Sequence, residues 1–440
     1  MKFFRYWWWL AAAFFRKHWR TLSAAMVLGI LAVSAGIKYY QFILNFLGRE
    51  TKVGMVGRVS AGNLPTQISG LISYGLTKTG AGGKPEPNLA LGWEANADGT
   101  KYTFKIDTSK KWSDQTPVKA SDLSISIENV ETEILDDETI IFKLVDPYAP
   151  FPVLVSRPIF KKDFIGLGPD KVVRMKRNGE FIDELMLQKP DNQKVRFKFY
   201  RTSSDLITAF KLGEVDEVWG LSSLSPVPKW DEVKIYQTLN FDIYSAVFFN
   251  TADSDLADKS FRQSLVYAIP NKPTGDNRAM SPINPLSFSY NPGVKPYETN
   301  PQLAGELLKE SLNGEEAPTL ELTTTLPFLE RAEEIARAWT QIGVKTNVKV
   351  ATIIPENFQA LLVGQERPAD PDQYSLWHST QKSNITHYSS PKVDKLLEDG
   401  RRTMDENKRL EIYRDFQRFL VEDSPAAFLE HLTTYNVKRK

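Results

Sequence analysis

Residues 244–270 read YSAVFFNTADSDLADKSFRQSLVYAIP, and this stretch decides the fold class. Tyr244 to Phe249 is an aromatic and β-branched run that reads as a buried strand; the polar Asn250-Thr251-Ala252-Asp253-Ser254-Asp255 ends it as a turn. Asp258 or Ser260 can cap the helix that follows, because a side-chain oxygen there accepts from an otherwise unpaired N–H of the first turn. Phe261, Leu265, Ala268 and Ile269 recur on one face at helical spacing, and Pro270 stops the helix. Strand, turn and amphipathic helix make one βα unit of an α/β core near mid-chain.

The whole chain bounds what that core can serve. At 440 residues it is long enough for two domains. A formal net charge of +1 argues against nucleic acid as a partner, since phosphate recognition leaves a basic excess. The absence of cysteine excludes disulfides, thiolate catalysis, cysteine-ligated metals and a lipid-modified cysteine anchor. His18, His378, His387 and His431 show no metal-ligand spacing, and no Gly-x-Ser-x-Gly elbow is present. The acid pairs Glu315-Glu316 and Glu333-Glu334 read as solvated surface. The chain is therefore expected to be no enzyme, with no catalytic residue, cofactor or metal site.

The N-terminus points to a membrane. Residues 1–20 carry Lys2, Arg5, Arg16, Lys17 and Arg20 with no acid, interleaved with Trp7, Trp8, Trp9, Phe14, Phe15 and Trp19. This basic aromatic segment suits a juxtamembrane helix with rings toward lipid and cations toward headgroups. Residues 21–40 are uncharged but for Lys38, about the 20 residues needed for a ~30 Å hydrocarbon layer. Lys38 can snorkel, with Tyr39 and Tyr40 at the interface. The basic excess before the span places the N-terminus in the cytoplasm and the body outside, as a single-pass protein of the cell membrane. The competing reading is a cleaved signal peptide, with small residues at Val33-Ser34-Ala35. Residues 41–51 would link the span to the body.

Along the body, a strand is expected over Val53 to Val59 and a helix over Gln67 to Leu76. Ala81-Gly82-Gly83-Lys84-Pro85 lacks phosphate-loop spacing and reads as a turn. Asp98-Gly99 between alternating runs, the second Tyr102 to Ile106, signals a hairpin. Ile125 to Leu144 reads as two strands around Leu135-Asp136-Asp137-Glu138. Val195 to Tyr200 is a strand, Ser204 to Leu212 a helix, and Met280 to Pro296 an irregular loop. Helices are expected over Gln302 to Lys309, Arg331 to Trp339 and Arg409 to Glu422. Strands are expected over Thr319 to Thr324, Thr346 to Val350 and Pro425 to Glu430.

Four groups of residues carry a resemblance. They are Leu89-Ala90, Trp93-Glu94, Asp98-Gly99-Thr100, Tyr102-Thr103-Phe104, Lys111-Trp112-Ser113-Asp114 and Ala120-Ser121-Asp122; Gly166-Leu167-Gly168-Pro169 and Gly213-Glu214-Val215-Asp216; Phe249-Asn250-Thr251 with Asp258, Arg262, Gln263, Leu265 and Tyr267 to Ile269; and Asp370-Pro371-Asp372 with Ser379, Asn384, Tyr388 and Val393-Asp394. In this order they resemble the signatures of extracellular solute-binding proteins that serve peptide and nickel ABC importers, of the oligopeptide- and dipeptide-binding type. Gln115 departs from the pattern, standing where the family usually has Gly.

The resemblance implies a two-lobed, periplasmic-binding-protein-like α/β fold. Lobe 1 would span 52–247, trimmed after Asp122, lobe 2 would span 248–424, and 425–440 would return to lobe 1. It further implies a peptide or other small solute held between the lobes, a closed form that docks on an ABC permease, and no part in nucleic-acid binding. In peptide-binding members a carboxylate just upstream of the Asp-Pro-Asp motif pairs with the ligand's α-amino group, and here that position is Arg367. Three readings stay open: Asp370 or Asp372 supplies the charge; the ligand presents an anion to the Arg367 guanidinium; or Arg367 pairs with Glu366 or Asp370 and faces solvent. Trp377, Trp93, Trp112 and Trp219 are candidate cleft walls, Trp377 first among them, because aromatic faces bury ligand area at low entropic cost. Ser379 and Asn384 are candidate polar contacts. The rival function is an envelope scaffold or sensor that keeps this fold but binds a protein.

Overall fold

The structure is a computed structural model that describes residues 2–46, 50–224 and 233–440. Helix α1 (Lys2–Phe46) leads, with helical geometry broken at His18 (φ −115°, ψ 15°), close to the expected junction of basic leader and apolar run. Trp7–Gly36 is long and apolar enough to cross a membrane, and none of its described side chains is buried. The helix runs through Phe46, so most of the expected linker is helical. Residues 47–49 lie outside the described residues, and Glu50 and Thr51 already belong to the first strand. The side chains of Tyr39 and Tyr40 also lie outside those described.

Along the body, β1 (Glu50–Val56), β2 (Val59–Ser60) and α2 (Thr66–Ile72) open lobe 1. A four-stranded domain, so called for its larger sheet, follows: first the two-stranded hairpin β3 (Thr77–Thr79) and β4 (Pro85–Pro87), then the four strands β5 (Ala90–Ala95), β6 (Lys101–Ile106), β7 (Val130–Ile134) and β8 (Thr139–Leu144), and the single turn α3 (Phe151–Leu154). Still within lobe 1, the chain returns to the main sheet as β9 (Lys171–Asn178), β10 (Phe181–Gln188), β11 (Lys194–Tyr200), α4 (Ser203–Leu212) and β12 (Glu217–Leu221). Strand β13 (Val233–Phe249) crosses into lobe 2. There α5 (Lys259–Ala268), α6 (Pro301–Leu312), β14 (Leu320–Thr324), α7 (Leu329–Gln341), β15 (Thr346–Val350), β16 (Ala360–Glu366), α8 (Tyr374–Trp377), α9 (Pro391–Arg402) and α10 (Glu406–Asp423) follow, and β17 (Ala426–Arg439) returns.

One continuous sheet runs through both lobes in the order β15-β14-β16-β13-β17-β12-β1-β11-β10-β2, with β9 paired to β10; β5-β6-β8-β7 form a separate sheet. The lobes are joined by the antiparallel pair β13 and β17. Val233 to Asn240 pairs with Leu432 to Arg439 in lobe 1, and Tyr244 to Phe248 pairs with Ala426 to His431 in lobe 2. Between them Phe241, Asp242 and Ile243 have no partner on β17. That bulge is where the strand bends between lobes. Tyr244 already packs in the lobe 2 core, so the break falls a few residues before the expected boundary at 247/248.

The 244–270 stretch folds as its pattern requires. Tyr244 to Phe249 are all buried, and Asp258 caps α5, its carboxylate accepting from Phe261 N at 2.7 Å. The polar signature residues of α5 prove structural. Arg262 is buried and donates to the carbonyls of Asp423 (2.7 Å) and Ser424 (3.1 Å), closing the end of α10, and to Leu256 (2.8 Å) and Ala257 (2.7 Å). Gln263 donates to the Glu422 carbonyl at 2.7 Å. Those last helical carbonyls have no partner inside α10, so α5 supplies it.

Candidate functional site

The four-stranded domain does not float free of lobe 2. Tyr148, on the turn before α3, and the 368–375 segment that follows β16 face each other across a cavity of about 490 Å³, whose walls also include Pro150, Val153, Arg157, Ser375 and Arg401. A second cavity of about 440 Å³ shares Tyr148 and Arg401 and adds Glu128, Asp146, Tyr374, Glu398 and Arg402. The partition between them is a sandwich. The Arg401 guanidinium lies 4.2 Å from the Tyr374 ring and 5.0 Å from the Tyr148 ring, an arrangement favoured by attraction of a cation to the π face. Its Nε donates to Asp372 Oδ2 at 3.0 Å, the Tyr148 hydroxyl approaches the same oxygen at 3.5 Å, and the Arg401 carbonyl accepts from Ala149 N at 2.7 Å. Elsewhere the two sides also meet through the Lys84–Glu406 ion pair and through Phe288 N, which donates to Gly82 O at 2.9 Å.

Burial sets the protonation here. It raises the Asp372 carboxyl pKa, with Arg401 opposing, and pushes the Tyr148 phenol up to about 12, Asp372 adding to the shift. Asp370 lies two residues away, and its two carboxylate oxygens take both terminal nitrogens of Arg409 on α10, one at 2.9 Å. Burial works to lower the Arg409 pKa, and Asp370 overrides it, so the net direction is up. Neither aspartate is an idle anion: Asp370 is occupied by Arg409, while Asp372 accepts from Arg401 and from Tyr374 N.

Arg367 sits at the lobe junction, outside both cavities. It pairs with neither Glu366 nor Asp370 and does not face solvent. The residue is buried, and its guanidinium donates to the carbonyls of Phe241 (2.7 Å), Pro282 (3.0 Å) and Ser281 (3.2 Å) and lies 4.3 Å over the Tyr244 ring. Its backbone N donates to Asp242 O at 2.7 Å. Phe241 and Asp242 are bulge residues, so Arg367 pins the bend between the lobes. His431 Nδ1 lies 3.2 Å away and accepts from the guanidinium. Burial foremost lowers the Arg367 pKa to about 10, leaving it charged at neutral pH.

The structure brings Asp370, Asp372 and Arg367 near the junction and spreads the other candidates. Trp377 is buried between Phe248 and Phe428, at 6.2 and 6.1 Å between ring centroids. Ser379 caps inward on α9, its hydroxyl donating to Asp394 at 2.6 Å. Asn384 staples its own loop through Tyr388 O at 2.9 Å. Trp93 stacks on Phe104 at 5.9 Å, and Trp112 is fully buried under Lys161 (4.8 Å), both in the four-stranded domain. Sequence reasoning missed Tyr148, Arg157, Tyr374 and Arg401. A usable signal was the Pro-punctuated aromatic turn Asp146-Pro147-Tyr148-Ala149-Pro150-Phe151. No group of three or more His, Asp or Glu side chains able to hold a metal occurs among the described residues.

Comparison with known proteins agrees with the geometry. Residues 84–386 match the family model described as bacterial extracellular solute-binding proteins, family 5 Middle. A dipeptide-binding protein of Escherichia coli (strain K12) is 22% identical over 80% of this chain and 82% of its own length. The oligopeptide-binding protein OppA of Bacillus subtilis (strain 168) is 22% identical over 80% and 81%. Among solved structures, NikZ of Campylobacter jejuni in complex with Ni(L-His) superposes with a TM-score of 0.72 at 21% identity, covering 89% of this chain and 94% of that one. AppA of Bacillus subtilis in complex with a nonapeptide gives 0.67 at 19%, covering 89% and 95%. The two-lobed, periplasmic-binding-protein-like α/β fold is thus shared.

Proposed function

The chain belongs to the bacterial extracellular solute-binding proteins of family 5, substrate-binding transport proteins rather than enzymes, and on that premise we propose that it is a membrane-anchored receptor. It captures a peptide or related small solute between its lobes and hands it to the permease of an ABC transporter. The observation that carries this reading is the pair of cavities between the four-stranded domain and lobe 2, divided by the Tyr148–Arg401–Tyr374 sandwich. Their charges differ. Arg157 at the first is exposed, while Glu128, Asp146 and Glu398 stand against Arg402 at the second. Opposite charges at the two ends suit an extended zwitterion. Relatives in complex with a nonapeptide and with the peptide STSA are of that class.

Residues 21–40 are read as the uncleaved span, with the N-terminus cytoplasmic and the body outside. Support comes from the solvent-exposed apolar helix and its break at His18 beside the basic leader. A signal peptide shares the same apolar length; the 20-residue tryptophan-rich leader favours retention. The direct passage from Asp122 to β7 supports a trimmed first lobe.

Thermal unfolding of the full chain in detergent against peptides, their N-acetylated and C-amidated forms, and small anions tests the capture. A ligand at a hundredfold excess over Kd stabilises the folded state by about 2.7 kcal/mol. Free peptides are expected to raise Tm, and Arg367→Ala to lower the starting Tm while leaving that rise intact, because Arg367 holds the bend and not the ligand. If anionic or N-blocked ligands alone work and Arg367→Ala abolishes their effect, Arg367 is the ligand's partner. The second reading, a scaffold or sensor for a protein, is favoured by the engagement of both Asp370 and Asp372 within the protein. It takes over if no small ligand shifts Tm.

A further inference from the structure

The sheet of lobe 1 has one end fixed by the tether. Helix α1 ends at Phe46 and β1 begins at Glu50, a gap of four residue steps that spans at most ~14 Å. Beyond Tyr40 the helix continues for one and a half turns, ~9 Å, which carries it through a headgroup layer ~5–8 Å thick. Wherever the body swings, the end of the sheet holding Glu50 stays within about one to two screening lengths of the bilayer surface.

That end is basic. Register places Lys194 opposite Glu50, Gln188 opposite Lys194, and Lys171 opposite Gln188. Lys189 lies on the turn that joins β10 to β11, closed by its N–H to Gln193 O at 2.8 Å. On the other flank Lys234 is opposite Lys438. Lys211 comes to the same end, because Arg439 donates to the carbonyls of Phe210 and Lys211. Lys171, Lys189, Lys194, Lys211 and Lys234 are all exposed and take part in no ion pair among the described residues. Among the described residues, Glu50 is paired with Arg196 (2.7 Å) and Glu217 with Lys438 (2.7 Å), Asp216 accepts from the backbone N–H of Lys52 (2.9 Å), and the buried Asp170 carboxyl feels the charge of Lys189. Asp191 and Glu214 are left exposed.

We propose that this lysine-bearing end of lobe 1 is a docking face for an anionic lipid surface, so that the body stands on the membrane in one orientation instead of swinging on its tether. The inference rests on the anchor reading. Charge complementarity and the short tether together select the lipid: the unpaired cations lie at the one end of the sheet that cannot leave the membrane's neighbourhood. A fixed stance would present lobe 2, joined through β13 and β17, for closure above it.

The chain has no cysteine, which makes single-site labelling clean. Full chain carrying Gln193→Cys at the tethered end, or Glu180→Cys at the far turn of the β9–β10 hairpin, is labelled with a fluorophore. Each is reconstituted in vesicles of phosphatidylcholine alone or with phosphatidylglycerol, with a quencher on the lipid headgroups. The proposal expects the residue 193 label to be quenched at least about twofold more with phosphatidylglycerol, and that excess to fall by half or more as the screening length drops from ~20 Å to ~4 Å with added salt. The residue 180 label stays unquenched. Changing the five lysines to Gln removes the excess; changing Arg174, Lys176 and Arg177, toward the opposite end of β9, does not. Equal quenching in both lipids overturns the docking face and leaves the lysines to an acidic protein surface. Chain that fails to float with vesicles after an alkaline wash overturns the anchor itself, a separate result.

Discussion

Arg367 and His431 show how one pair of side chains can fix the bend between two lobes. Arg367 is a buried cation held by three carbonyls and the Tyr244 ring, and His431 accepts one of its N–H groups, which requires the ring to be neutral at Nδ1. Burial, and then Arg367, lower the His431 pKa from 6.5 to about 4. The sign follows: above pH 6.5 both folded and unfolded rings are neutral, while between 6.5 and 4 the unfolded chain takes the proton that the folded one refuses. Stability therefore falls as pH falls through this window, by about 2 kcal/mol after discounting for the part-exposed neighbours Leu432 and Thr433 on β17. His431→Asn, whose side-chain carbonyl can still accept from Arg367, should flatten that part of the slope. Urea unfolding of the two proteins at pH 7 and 4.5 reads the difference, and parallel slopes would remove His431 from the account.

Gln115 belongs to the same scale. The position where the family usually has Gly is in the left-handed region, φ 72°, which a side chain enters at a cost of about 1 kcal/mol. The sequence departs from the pattern while the backbone keeps it. Nothing in local composition reveals a positive φ behind a glutamine; the motif did.

At the scale of elements, legibility followed burial. Tyr244 to Phe249 stood out because every residue is buried, yet β13 begins eleven residues earlier. Its first half, with Tyr236 53% exposed, lacks an apolar run to betray it. The long return strand β17 was cut short at Glu430 for the same reason, since its outer half is part-exposed. The β9–β10 hairpin went unread although Asn178-Gly179 is a turn signal, because β9 is a basic edge strand with little alternation. The site was less legible than the fold. The cavity walls come from residues far apart in sequence, and the aromatic and acidic residues that the motifs offered mostly hold elements to each other.

Asp370 is the sharpest case. It ties the loop after β16 to α10 through Arg409, both groups buried. Asp370→Asn should leave that cation uncompensated and cost about 3–5 kcal/mol, seen as a lower denaturant midpoint with an unchanged slope. A ligand-binding carboxylate would instead lose affinity at nearly constant stability, so the two roles separate in one pair of measurements.

For the whole molecule, what matters is the balance between open and closed lobes. Two strands join them, and across the gap the Tyr148–Arg401–Tyr374 sandwich and Asp372 make one polar contact, beside the Lys84–Glu406 ion pair and the Phe288 N–H donated to Gly82 O. Tyr148→Ala removes the four-stranded domain's half of the sandwich while keeping the Asp372–Arg401 pair intact within lobe 2, at the cost of some packing against the domain's own core, which a separate denaturant midpoint measures. Loss of about 1–2 kcal/mol of contact shifts the closure equilibrium roughly 5–30-fold toward open. Ligand must then supply that difference, and apparent affinity falls by up to the same factor. Pairs of spin labels on introduced cysteines, one on β7 and one on α9, would report the distance between the two sides. In the ligand-free variant it should lengthen relative to the parent chain, and saturating ligand should restore it. If the distances do not change and affinity is unaltered, the sandwich is a passive wall, and closure is set by the bend at Phe241 to Ile243 alone.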